Sequence, residues 1–108
     1  MQTFGHLSKI RAFERAHLTF LVTIEDFDIV RVIGLHQERA EPLLLKQLYL
    51  EGIGSIATVT RRLSQLRTSG HVIAQPYGDD RRAVTLVLST QLHGLYLRYG
   101  KLLISLAQ

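Results

Sequence analysis

Apolar side chains recur at intervals of three and four over residues 4 to 22, where Leu7, Ile10, Phe13, His17, Phe20 and Leu21 run along one stripe with Lys9, Arg11 and Arg15 between them. That period predicts an amphipathic helix whose stripe needs cover, either from a partner subunit or from its own domain. A second helix is predicted over Ile24 to Gln37, with Phe27, Val30, Ile33 and Leu35 or His36 on its buried side. Its start carries the capping-box pattern Thr23-Ile24-Glu25-Asp26, with Asp where Glu is more usual. Residues 36 to 41 read as a polar connection.

Pro42 suits the first position of a short helix from Leu43 to Leu50, since its missing N–H is not needed there. Gly52 and Gly54 bracket Ile53, which predicts a tight turn with an apolar plug at the corner between two helices. Ser55 is a good N-cap for the next helix, Ile56 to Ser69, and Gly70 a good left-handed stop. Val59, Leu63 and Leu66 make the core stripe of that helix. Its opposite face carries Ala57, Thr60, Arg61, Ser64 and Thr68, flanked by Thr58, Arg62 and Gln65, and holds no carboxylate. A solvated helix face usually mixes both signs of charge. A face that lies against phosphates excludes Asp and Glu and keeps its first turn slim enough for the major groove.

His71 to Ala74 and Ala83 to Leu88 then read as two strands, the second rich in β-branched residues. The eight residues between them, Gln75 to Arg82, predict a long and charged loop. Ser89 or Thr90 can cap a last helix to about Ala107, in which Leu92, Leu95, Tyr99, Leu102 and Leu106 form an a/d seam widened by Tyr96 and Leu103. Gly94 and Gly100 weaken this helix, so it needs a partner. The two terminal helices, 4–22 and 89–107, are expected to form a dimerisation layer through Leu7, Ile10, Leu92, Leu95, Tyr99, Leu102 and Leu106. The alternative is that the same two helices pair within one chain.

With 108 residues, 46% of them hydrophobic, the chain is expected to form a single domain with a modest core. No cysteine is present, which excludes disulfides, thiolate metal sites and cysteine nucleophiles. No apolar run approaches the roughly 18 residues that span a bilayer, and the first residues lack a signal-peptide core, so a cytoplasmic location is expected. The net charge of +4 matters less than its placement, because Arg61, Arg62, Arg67, Arg81 and Arg82 fall close together. His6, His17, His36, His71 and His93 show no ligand spacing, and neither metal nor cofactor is expected.

The order helix, short helix, capped helix ending in Gly, strand, Asp-Asp-Arg-Arg loop, strand and long helix resembles the MarR family of bacterial transcription regulators. The residues that carry the resemblance are Ser55-Ile56-Ala57-Thr58-Val59-Thr60-Arg61-Arg62-Leu63-Ser64-Gln65-Leu66, then Gly70, then Gly78-Asp79-Asp80-Arg81-Arg82-Ala83 and Leu86-Val87-Leu88-Ser89. It spans about residues 25 to 100. It implies a mostly α fold with a small β hairpin, a winged helix-turn-helix with N- and C-terminal dimerisation helices, with the helix-turn-helix at 42–69 and the wing at 71–88. It also implies a homodimer that places two recognition helices in successive major grooves of double-stranded DNA and its wings in the flanking minor grooves. Members of the family usually continue into a further interface helix, whereas this sequence ends at Gln108. The expected interface is therefore smaller or leans more on residues 4 to 22.

On this reading Ser55 caps the recognition helix and its neighbouring amides can hold a phosphate. Ala57, Thr60 and Arg61 face base edges, with Arg61 suited to guanine O6 and N7. Thr58, Arg62 and Gln65 hold phosphates. Arg81 or Arg82 enters the minor groove, with Asp80 orienting Arg82. The expected function is a sequence-specific transcription regulator, more simply a repressor, whose small-molecule effector, if there is one, is unidentified. The alternative is a winged helix used for protein contact, as in an anti-regulator. An enzyme is not expected, because the sequence holds no glycine-rich phosphate loop and no nucleophile with an evident base.

Overall fold

The computed structural model describes residues 2–108, with Asp80 and Arg81 described by their backbone alone. In chain order it comprises α1 (Thr3–His17), α2 (Ile24–Glu38), β1 (Leu43–Leu44), α3 (Leu45–Tyr49), α4 (Ile56–Thr68), β2 (Val72–Tyr77), β3 (Asp80–Leu88) and α5 (Thr90–Leu106). The three strands form one antiparallel sheet in the order β1-β3-β2. Leu43 pairs with Leu86 on one side of β3, and Val72 with Leu88 on the other.

The capping box at the start of α2 forms as its sequence suggests. The Thr23 hydroxyl accepts from the Asp26 amide at 3.2 Å, and the Asp26 carboxylate accepts from the Thr23 amide at 3.1 Å. Thr23 itself is extended (φ −117°, ψ 162°), and the helix expected over residues 4 to 22 is shorter than its apolar stripe. α1 ends at His17, and Leu18 and Leu21 turn into the core at 1% and 5% exposure. The inner face of α2 is also broader than its periodicity suggested. Ile29 and Val32 are buried with Val30 and Ile33, because α4 and β3 both pack on this helix. Phe27, Leu35 and His36 are only half-buried.

The end of α2 is closed by a Schellman motif. The Glu41 amide donates to the His36 carbonyl at 3.0 Å and the Ala40 amide to the Gln37 carbonyl at 3.1 Å. Ala40 takes the left-handed position of that motif, with φ 52°. The same motif closes α4, where His71 donates to Leu66 and Gly70 to Arg67, both at 3.0 Å. There the left-handed residue is Gly70, at φ 83°.

The helix expected from Leu43 to Leu50 is cut to Leu45–Tyr49. Leu43 and Leu44 instead pair with the outer edge of β3, which buries Leu43 and satisfies backbone groups that a helix would have left at a sheet edge. The hairpin also departs from expectation. Its strands continue to Tyr77 and from Asp80, which leaves Gly78 and Asp79 as the turn, with Gly78 at φ 58°. Pro76 lies within β2, where an edge strand tolerates a missing N–H, and the pairing register is irregular beside it.

One core joins these elements. Ile29, Ile33, Leu48, Val59, Leu63, Leu66, Val72, Leu86 and Leu92 are all buried in it. The Ser89 hydroxyl caps α5 by accepting from the Leu92 amide at 3.1 Å. α1 packs on α5 within the same chain: the Tyr99 hydroxyl donates to Glu14 at 2.9 Å, and Phe13 meets the Tyr99 ring edge-on at 5.1 Å between centroids. This corrects the assignment of Leu92 to a subunit interface. Leu92 is fully buried in its own core, and Leu95 and Tyr99 pack against that core. Leu7 stays exposed, and Ile10, Leu102 and Leu106 are half-buried. Phe4, Leu97, Leu103 and Ile104 add further exposed apolar surface on the two helices.

Candidate nucleic-acid interface

The interface is built on α4. Ser55 is extended (φ −61°, ψ 155°), and its hydroxyl accepts from the Thr58 amide at 3.1 Å. It thus starts the helix as the sequence suggests. Val59, Leu63 and Leu66 anchor the helix in the core. Anchoring one side turns Ala57, Thr60, Arg61, Ser64, Gln65 and Thr68 outward as an exposed row, with Thr58 half-buried at its side. The row carries hydroxyls, an amide, small methyl groups and a guanidinium. No acidic side chain projects from α4.

Arg62 is corrected from a phosphate contact to a structural tie. Its Nε and Nη2 each donate to the Asp26 carboxylate at 2.7 Å, and its side chain is only 17% exposed. Asp26 is fully buried and also accepts from the Val22 amide at 2.8 Å and the Thr23 amide at 3.1 Å. Burial pushes its carboxyl up, but the Arg62 guanidinium and the two amides outweigh burial and hold the pKa below the ordinary value. The same hydrogen bonds raise that of Arg62. The pair joins the first turn of α2 to the middle of α4 and so sets how the exposed row is presented.

Two more contacts steady the helix. Tyr49, the last residue of α3, lies 2.9 Å from the Thr60 hydroxyl through its own. At the far end the Ser69 hydroxyl donates to the Leu66 carbonyl at 3.0 Å and lies 2.7 Å from His71 Nδ1. A serine hydroxyl has one hydrogen, so His71 Nδ1–H is the donor of the second bond. The His71 ring stacks on Phe20 at 3.7 Å and 6°, and burial lowers its pKa. Asp26, Tyr49 and His71 were not singled out from sequence as parts of this site. Their partners are distant in the chain, and only Asp26 gave a local signal, as the third residue of a capping box.

The wing lies beside α4. Arg82 is exposed on β3 and, with Lys46, Tyr49 and Val84, lines a groove of about 420 Å³ between α3 and the sheet. The proposed contacts of Arg81, and the orienting role of Asp80, fall on side chains outside the described residues. Among the described residues no group of three or more His, Asp and Glu is placed to hold a metal ion. No described helix is long and apolar enough to cross a membrane.

No protein-family profile matches the chain, and no curated protein matches it in sequence. Solved structures match its fold. MepR of S. aureus, solved as a DNA complex, shares 17% identity at a TM-score of 0.71, over 100% of this chain and 87% of its own. NadR, solved with 4-hydroxyphenylacetate, shares 20% identity at a TM-score of 0.65, over 93% of this chain but only 66% of its own. MarR shares 21% identity at a TM-score of 0.50, over 97% of this chain and 82% of its own. Element order, sheet topology and these likenesses agree: the chain has the winged helix-turn-helix fold of the MarR-family transcription regulators.

Proposed function

We propose that the chain is a sequence-specific double-stranded DNA-binding transcription regulator. It acts as a cytoplasmic homodimer and represses by occupying its site. The observation that carries this reading is the outward row of α4: slim at its first turn, cationic at Arg61, and without a carboxylate. Ala57, Thr60 and Arg61 face base edges. Thr58 and Gln65 hold phosphates, and Arg81 and Arg82 take the minor groove. The MepR neighbour was solved with DNA, which supports the reading. Phe4, Leu7, Leu103 and Ile104 are the exposed apolar residues offered to a second copy.

An effector acts only if it binds one spacing of the two recognition helices better than another. A hollow of about 220 Å³ between α2 and α5, lined in part by Val30, Gly34, Leu88 and Tyr96, suits only a small one. The test is fluorescence anisotropy with duplex DNA from upstream of the chain's own gene, beside a scrambled duplex, at two salt concentrations. Tight binding that survives the scrambled competitor is expected. Equal binding to both, lost at higher salt, shows only the nonspecific electrostatic contribution. No binding at either salt moves the assignment to protein contact.

A further inference from the structure

Thr60 stands on the exposed row of α4, and among the described residues its side chain has one hydrogen bond, to the Tyr49 hydroxyl at 2.9 Å. Each of these hydroxyls has a single hydrogen, so only one can donate. A phenol, with a pKa of about 10, is far more acidic than an aliphatic alcohol and is the better donor. On that ground Tyr49 is assigned as the donor and Thr60 as the acceptor. With that assignment the Thr60 hydrogen has no acceptor among the described residues and can reach one outside the chain. The Tyr49 ring is packed against the core, so its hydroxyl is a fixed post rather than a mobile group. At the neighbouring Thr58 the Ser55 hydroxyl donates to Oγ1 at 3.0 Å, so this threonine oxygen also accepts from within the chain.

We propose that Tyr49 is a specificity-determining positioning residue, which sets the Thr60 hydroxyl as an outward donor for a base that presents an acceptor in the major groove. Purine N7, guanine O6 and thymine O4 are such acceptors, whereas the cytosine amino group is a donor and is rejected. This rests on the DNA-binding reading and deepens it: Tyr49 touches no base, and it decides which kind of base edge Thr60 can read.

The experiment begins by selecting duplexes from a random pool with the unchanged protein. Tyr49→Phe, Thr60→Val and the double variant are then titrated against the selected and a scrambled duplex at two salt concentrations. Tyr49→Phe keeps the packed ring and removes only the hydroxyl. It should weaken the selected duplex roughly three- to tenfold. Binding to scrambled DNA and the salt slope should not change, and the base preference at one position should relax. The double variant should bind no more weakly than Thr60→Val alone, because the two hydroxyls act as one unit. Unchanged affinity of Tyr49→Phe, equal loss on both duplexes, or strictly additive losses in the double variant would each overturn the proposal alone. Failure of the unchanged protein to enrich any duplex overturns the DNA-binding reading, and this proposal with it.

Discussion

Asp26 and Arg62 tie α2 to α4 by two parallel hydrogen bonds of 2.7 Å between a fully buried carboxylate and a nearly buried guanidinium. Removing one partner leaves the other charge buried and unpaired. Arg62→Ala should therefore destabilise the fold by about 3–5 kcal/mol in urea unfolding. Replacing both residues by apolar side chains should also lower stability, because the Val22 and Thr23 amides then lose the acceptor that Asp26 supplies. Loss of stability in Arg62→Ala below about 1 kcal/mol would show that the pair is only a surface contact.

The same pair sets an acid limit. The folded-state pKa of Asp26 lies below its ordinary 3.8, so its ionised form stabilises the fold. That contribution is fully present above the ordinary value and is lost as pH falls through the lower folded value. Asp26→Asn should be less stable at neutral pH and should flatten the acid limb of the stability curve. A parallel acid limb in the variant would place acid sensitivity elsewhere.

The α1–α5 contact sets an alkaline limit of opposite sign. Burial, then the Glu14 carboxylate, pushes the Tyr96 phenol up to about 12, and burial, the hydrogen bond to Glu14 and the charges of Glu14 and Tyr96 raise that of Tyr99. The protonated phenols stabilise the fold fully below the ordinary 10.0, and that stability is lost as pH rises toward the folded values. Absorbance at 295 nm should show late tyrosine ionisation coupled to loss of helix. Tyr99→Phe should cost about 1 kcal/mol and raise hydrogen exchange in α1 at neutral pH. Unchanged exchange in α1 would mean that Phe13 and its neighbours hold the helix without the hydrogen bond.

Ala40 adopts the left-handed backbone that glycine takes at Gly70 in the matching motif. An L-residue there is strained by roughly 1–2 kcal/mol, and glycine returns part of that gain through its freer unfolded chain. Ala40→Gly should raise stability by about 0.5–1 kcal/mol in thermal or urea unfolding, while Gly70→Ala should lower it.

Two surface changes separate the proposed partners. Arg81→Ala with Arg82→Ala should weaken binding to all DNA and reduce the slope of log affinity against log salt by about 2. An unchanged slope would remove the wing from the interface. Leu103 and Ile104 are 43% and 63% exposed, so Leu103→Glu or Ile104→Glu should fold normally. Either should sediment as a monomer if α5 faces a second copy. A persistent dimer would point to another surface.

Local pattern was sufficient wherever the deciding interactions lie within one helical turn. The Thr23 capping box, the Ser55 cap, the Val59-Leu63-Leu66 stripe and the Gly70 stop are all of that kind, and all are present in the structure. The carboxylate-free row of α4 follows from them, since a helix with a known start and core face has a known outer face. What the pattern could not decide are contacts between residues far apart in the chain. Leu43 reads as helical until β3 offers it an unpaired edge at Leu86. Arg62 reads as one more arginine on a basic helix until folding brings the buried Asp26 within 2.7 Å. Leu92 belongs to an apolar seam that suits a partner subunit equally well, and only the position of the core buries it within its own chain. A period records which side of an element is apolar. Which neighbour covers that side, and which charge finds its counterpart, is set by the packing of the whole chain.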